Sequence, residues 1–111
     1  PIEPPNLLPS VFISYLTVGD PVALVAIKSE ISFHPQYLNG VDRYGNTPLM
    51  IAAEHSHDDI VRALLELGAD KTVRNNAGHT ALDIAHASEA LANDLQRIAR
   101  LEDIITMLNQ G

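Results

Sequence analysis

One internal repeat constrains this chain more than any other feature of its sequence. Asp42-Arg43-Tyr44-Gly45-Asn46-Thr47-Pro48-Leu49-Met50-Ile51-Ala52 aligns with Asn75-Asn76-Ala77-Gly78-His79-Thr80-Ala81-Leu82-Asp83-Ile84-Ala85. Gly45 and Gly78, Thr47 and Thr80, Leu49 and Leu82, Ile51 and Ile84, and Ala52 and Ala85 all recur at the one offset of 33. A repeat of this length is one supersecondary unit. Alone it cannot bury its apolar face, so it folds by stacking on neighbours.

The residues within a unit say what the unit is. Asp-x-x-Gly and Asn-x-x-Gly are turn signatures, because the Asx side chain bonds forward onto the backbone and Gly accepts a positive φ. Thr47 reads as a helix N-cap with Pro48 at the first helical position, where a missing N–H does no harm. Leu49, Ala52 and Ala53 give a short helix one narrow apolar face. A polar break follows at Glu54-His55-Ser56-His57-Asp58-Asp59. Its aspartates suit the positive end of the next helix. Ile60, Val61, Leu64 and Leu65 form the stripe of that second helix, and Gly68 ends it. One unit is therefore a turn, a short helix, a reversal and a second helix.

This segment resembles the ankyrin repeat family. Asp42, Gly45, Thr47-Pro48-Leu49, Ala52-Ala53, His57, Ile60-Val61, Leu64-Leu65 and Gly68-Ala69-Asp70 match the family pattern in order over one whole repeat. Two positions depart from it. Met50 replaces the His of the T-P-L-H stretch, and Ser56 replaces the Gly of the reversal. A positive φ at Ser56 would cost about 1 kcal/mol. The resemblance implies an all-α fold, a short ankyrin-repeat solenoid of helix–turn–helix units joined by turn or hairpin loops.

On either side the pattern loosens. Residues 10–41 read as a degenerate N-terminal repeat, with Ser10 as N-cap, Ser10 to Val18 as first helix and Gly19-Asp20-Pro21 as reversal. Gly19 to Ser56 is an offset of 37, so about four residues are in surplus, and Pro35 and Asn39-Gly40 place them in an irregular loop within Ile31 to Val41. Residues 42–74 are the full repeat, and residues 75–111 a C-terminal capping repeat. Aligning Asp103-Ile104-Ile105 with Asp59-Ile60-Val61 needs an offset of 44, hence an 11-residue insertion. Eleven residues are close to three helical turns, which keeps an apolar face in phase. Leu91, Leu95, Ile98, Leu101, Ile105 and Leu108 read as that continuing stripe, with a reversal near Ala92-Asn93-Asp94. Pro1 to Pro9 holds four of the seven prolines and reads as an extended lead-in.

Composition removes most other functions. The 111 residues leave room for one compact domain. Without Cys there is no disulfide framework, thiol nucleophile or zinc finger. Asp and Glu number 14 against 7 Lys and Arg, a net charge of −7. That opposes binding to nucleic acid or anionic lipid, which needs clustered cations. No apolar run reaches the roughly 18 residues of a membrane span, and no signal peptide is legible. These features fit a cytoplasmic setting, or a host cytosol for a secreted effector. The opening Pro1-Ile2-Glu3-Pro4-Pro5 lacks Met and reads as cut from something longer.

Candidate chemistry is sparse. His55, His57, Asp58 and Asp59 sit together in sequence, yet His57 falls on a structural position of the family and the aspartates on a helix start. Their spacing at a helix–helix corner does not supply tetrahedral metal geometry. No G-x-S-x-G, P-loop or G-x-G-x-x-G occurs. The expectation is no catalytic residue, no cofactor and no metal. Phe12 and Tyr15 read as core or N-terminal cap.

The resemblance implies partner binding through turn tips and the exposed face of the first helices. Carried over by position, that selects Arg43, Tyr44 and Asn46, with Glu54 and His55 on the first helix of the middle unit. In the last unit it selects Asn76, Ala77 and His79, with Ala87 and Ser88 on the helix. Tyr44 beside Arg43 has the chemistry of an interface hot spot. The implied function is a non-catalytic protein–protein interaction module whose partner carries a complementary basic surface. The alternative is a regulatory or targeting domain of a larger enzyme, channel or secreted bacterial effector. A monomer is expected, with self-association through the last helix as the other possibility.

Overall fold

The computed structural model describes residues 7–110. They form six α-helices: α1 (Ser10–Val18), α2 (Pro21–Phe33), α3 (Pro48–Glu54), α4 (Asp58–Glu66), α5 (Ala81–Leu91) and α6 (Leu95–Asn109). A 3-10 turn spans Pro35–Asn39. Helices pair as α1–α2, α3–α4 and α5–α6. The first helices stack on one another, α1 on α3 on α5, and the second helices form a second layer through α2, α4 and α6. This is a short ankyrin-type solenoid.

The helix starts follow from their caps. Thr47 Oγ1 accepts from Met50 N at 3.4 Å, and Pro48 opens α3. Thr80 and Asp83 make the reciprocal box at α5: Thr80 Oγ1 accepts from Asp83 N, and Asp83 Oδ2 accepts from Thr80 N. At α3 the Met50 thioether stands in that second place, 3.5 Å from Thr47 N. Ser10 does not cap α1. It is the first helical residue, Pro9 is the flanking one, and no side chain caps that end. Asp20 caps α2 instead, Oδ1 accepting from Ala23 N at 2.6 Å, with Pro21 behind it. Gly68 closes α4 in a Schellman arrangement, with Gly68 N on Leu65 O and Ala69 N on Leu64 O.

The four surplus residues of the first unit are not in a loop. Helix α2 has 13 residues where α4 has 9. The two inter-unit connections, 34–47 and 67–80, are equal in length. Ile31 explains the difference: it is buried in the core, so packing carries the helix to Phe33, into the stretch read as loop, and it stops just ahead of Pro35. The last unit absorbs its insertion in both helices. The offset between units is 33 at the first-helix starts Pro48 and Ala81, 37 at the second-helix starts Asp58 and Leu95, and 44 at the buried pair Ile60 and Ile104. Four extra residues therefore lengthen α5, and seven precede the aligned part of α6.

The core is aliphatic. Phe12, Leu16, Ile27, Leu49, Met50, Ile60, Val61, Leu64, Leu101 and Ile104 are fully buried. Ala52, Ala53, Ala81 and Ala85 lie between α3 and α5, where small side chains let the helices approach. Truncating a residue such as Leu64 to Ala would cost about 2–5 kcal/mol. The expected apolar stripe of the last unit splits. Leu101, Ile104 and Leu108 are buried, Ile105 is half-buried, Leu95 is exposed, and Leu91 belongs to α5. The described end of the lead-in joins the fold too: Leu8 is buried, and Leu7 bridges Val41, with Leu8 N on Val41 O at 2.8 Å. Residues 1–6 of that lead-in lie outside the described residues.

Candidate interaction face

Each turn tip is built by one Asx side chain. Asp42 Oδ1 accepts from Tyr44 N at 2.8 Å and Asn46 N at 2.9 Å. Asn75 Oδ1 accepts from Ala77 N and His79 N, both at 3.0 Å. The backbones repeat the same closure, Asp42 N to Asn46 O and Asn75 N to His79 O. Gly45 and Gly78 take the left-handed position, at φ 79° and 85°.

The two tips are bonded to each other. Asn76 N donates to Tyr44 O at 3.0 Å, Asn76 Nδ2 to Arg43 O at 3.4 Å, and Asn75 Nδ2 to Asn46 Oδ1 at 2.8 Å. Asn46 Nδ2 also donates to Asp42 Oδ2. Asn46 and the Asn76 amide thus serve the inside of the rim. Arg43, Tyr44, Ala77 and His79 are exposed on it, Tyr44 at 72%. Tyr37, by contrast, stacks on His34 and packs at a tilt against Phe12. Tyr44 instead borders a pocket of about 230 Å³ with Leu7, Leu8, Ser10, Ile13, Asp42 and Arg43.

Glu54 and His55 stand at the other end of α3, also exposed. A second pocket of about 300 Å³ runs along α5 and joins both ends of the face. His79 lines it at the tip, Glu54 at the reversal, and Asp83, Ile84, Ala87, Ser88 and Leu91 between. Positions 84, 87, 88 and 91 share one helix face. Ser88 is not free for a partner: it is buried, and its Oγ donates to Glu54 O at 3.5 Å. Ala87 is exposed, and Leu91 is 86% exposed. Sequence reasoning missed Leu91 as a surface residue because it read it as part of a continuing apolar stripe.

The carboxylates along the pocket on α5 are Glu54 and Asp83. The Asp83 carboxyl is held below the ordinary carboxylate range, chiefly by the Thr80 backbone N–H, with the Thr80 side chain, His79 and Arg74 adding to it. Asp70, on the loop after α4, is lowered by the Thr72 hydroxyl and then by the Thr72 N–H. His57 is structural: its Nε2 lies 2.7 Å from Thr17 O, tying the middle reversal to the first unit. The rings of His55 and His57 are 6.1 Å apart. Among the described residues no group of three or more His, Asp or Glu stands together so as to hold a metal ion. No described helix is long and apolar enough to cross a membrane.

Known proteins share this pattern. The family model described as "Ankyrin repeats (many copies)" matches residues 32–85. The NAD-capped RNA hydrolase NUDT12 of Homo sapiens is 43% identical over 67 residues, 60% of this chain and 14% of that protein. The ankyrin repeat-containing protein BDA1 of Arabidopsis thaliana is 38% identical over 71 residues, 63% of this chain and 16% of that protein. The oxysterol-binding protein-related protein 1 of Rattus norvegicus is 41% identical over 56 residues, half of this chain and 6% of that protein. The chain thus matches only a small share of each relative's length.

Proposed function

We propose, from its membership of the ankyrin repeat family, that this chain is a non-catalytic module that binds another protein. Ankyrin repeats generally mediate protein–protein interaction and are generally non-catalytic. The observation that carries the reading is Tyr44, 72% exposed on a tip whose backbone is bonded to the neighbouring tip. A rigid tip loses little conformational freedom on binding, so a modest contact area suffices. Arg43 and Tyr44 supply the anchor, with Ala77 and His79 beside them. Asn46 and Asn76 act by holding the rim in shape. Glu54, His55 and Ala87 extend the contact along the first-helix face. The partner is a protein with a basic surface, and the chain itself is a monomer.

The test is affinity capture with the chain and with its Arg43→Ala/Tyr44→Ala variant, read by mass spectrometry. A protein retained by the first and lost by the second, at equal melting temperature, supports the assignment. Equal retention refutes the tip as the contact. Sedimentation at several concentrations checks the monomer.

A second reading is supported by the small matched share of each relative. The chain would be the regulatory or targeting part of a longer protein whose activity lies outside these residues. The full open reading frame decides between the two.

A further inference from the structure

We propose that the groove along α5 docks a peptide segment that places one large aliphatic or aromatic side chain against Leu91 and a neighbouring Lys or Arg against Glu54. The inference rests on the protein-binding reading above and names the chemistry of the partner there.

The apolar part of the groove is not a demand of the fold. At the offset that relates the two first helices, α3 ends at Glu54 opposite Ala87, so Ser88 to Leu91 is the extra turn of α5. That turn adds Leu91, which is 86% exposed. Helix α3 has no such turn, so the stacking of α5 on α3 does not require this leucine. Ile84 and Ala87 continue its stripe toward the tip, and the pocket of about 300 Å³ has room for one Leu- or Phe-sized side chain. Large apolar side chains left in solvent beside a concavity mark contact sites.

The rim chooses the flanking charge. Glu54 and Asp83 both line the groove with exposed carboxylates. Two cations stand near them with their hydrogen bonds spent on backbone: Arg97 Nη2 donates to the Glu54 carbonyl at 3.4 Å, and Arg74 Nη1 to the Gly78 carbonyl at 2.7 Å. His79 is the remaining basic group on the groove wall. With a net charge of −7 behind it, the groove attracts a cationic segment and repels an acidic one.

The experiment is selection of a random dodecapeptide display library on the immobilised chain, with affinities of enriched peptides measured on variants. Enriched peptides should carry a bulky apolar residue flanked by Lys or Arg. They should bind about tenfold more weakly to Leu91→Asp, as for loss of a hot-spot contact. Ala87→Arg, which fills the groove, should do the same. Glu54→Lys should weaken binding several-fold and flatten its salt dependence. These three side chains are exposed, so melting temperatures should stay unchanged. Peptides that respond to Tyr44→Ala but not to Leu91→Asp or Ala87→Arg would overturn the groove and leave the tip reading standing. Enrichment of acidic peptides would overturn the stated chemistry. No enrichment over a blank surface would overturn both readings.

Discussion

The Ser56 hydroxyl accepts a hydrogen bond from Arg97 Nε at 3.0 Å, across 41 residues of chain. Ser56 is the one described non-glycine residue with a positive φ, 63°, at the reversal where the family pattern has Gly. Arg97 lies in the seven added residues that open α6. The strained substitution and the insertion therefore meet in one contact. Gly at position 56 would relieve the backbone but leave the guanidinium without this acceptor.

Ser56→Ala should keep the strain, lose the bond and cost about 1–2 kcal/mol. Ser56→Gly should fall near neutral, because relief of about 1 kcal/mol offsets the lost bond. A double-mutant cycle with Arg97→Ala in urea should return a coupling of about 1 kcal/mol. Strict additivity would dismiss the contact as energetically idle.

Two equivalent glycines should respond unequally. Gly45→Ala and Gly78→Ala both carry the positive-φ penalty of about 1 kcal/mol. A Cβ on Gly45 would stand 2.6 Å from Asn76 Oδ1 and 2.9 Å from Asn76 N, whereas one on Gly78 meets nothing within 4 Å. Thermal melts should show Gly45→Ala clearly less stable than Gly78→Ala. Equal losses would mean that the tip-to-tip bonds yield without cost.

Acid should weaken the start of α5. Asp83 has its folded pKa lowered by the Thr80 N–H, so its contribution is present above the unfolded value and lost as pH falls through the folded one. The unfolded value is about 3.9. Wild type should exceed Asp83→Asn in stability by a constant margin near neutrality. That margin should shrink as pH falls below about 4, where the unfolded state protonates first, and level off once the folded state protonates too. A margin that grows in acid would contradict the cap.

His57→Ala should loosen the first unit before the last. Losing the bond to Thr17 O should cost about 1–2 kcal/mol. Amide hydrogen exchange should accelerate in α1 and α2 more than in α6. A uniform acceleration would show that the units open only together.

What was legible in the sequence was local. Asp42 and Asn75 bond within five residues of themselves, and Thr47 caps three residues ahead, so spacing alone discloses them. What stayed hidden depends on packing between units. The roles of Asn46 and Asn76 rest on partners far along the chain, Asn75 and Arg43. Helix α2 reaches Phe33 because Ile31 is buried, and only then does Pro35 end it. Helix α1 starts at Ser10 because Leu7 and Leu8, paired with Val41, deliver the chain already extended at Pro9. The reversal at 92–94 is legible, but Leu91 reads as part of one apolar stripe and is exposed at the end of α5 while Leu101, Ile104 and Leu108 of α6 are buried.

The connections 34–47 and 67–80 are equal in length, although the helices that feed them, α2 and α4, have 13 and 9 residues. Axial pitch and rung length are therefore independent in this stack. The connections set the spacing of the units, and added helical turns extend a rung sideways without moving its neighbours. New surface, such as the turn that bears Leu91, can be gained this way while the rest of the ladder keeps its step.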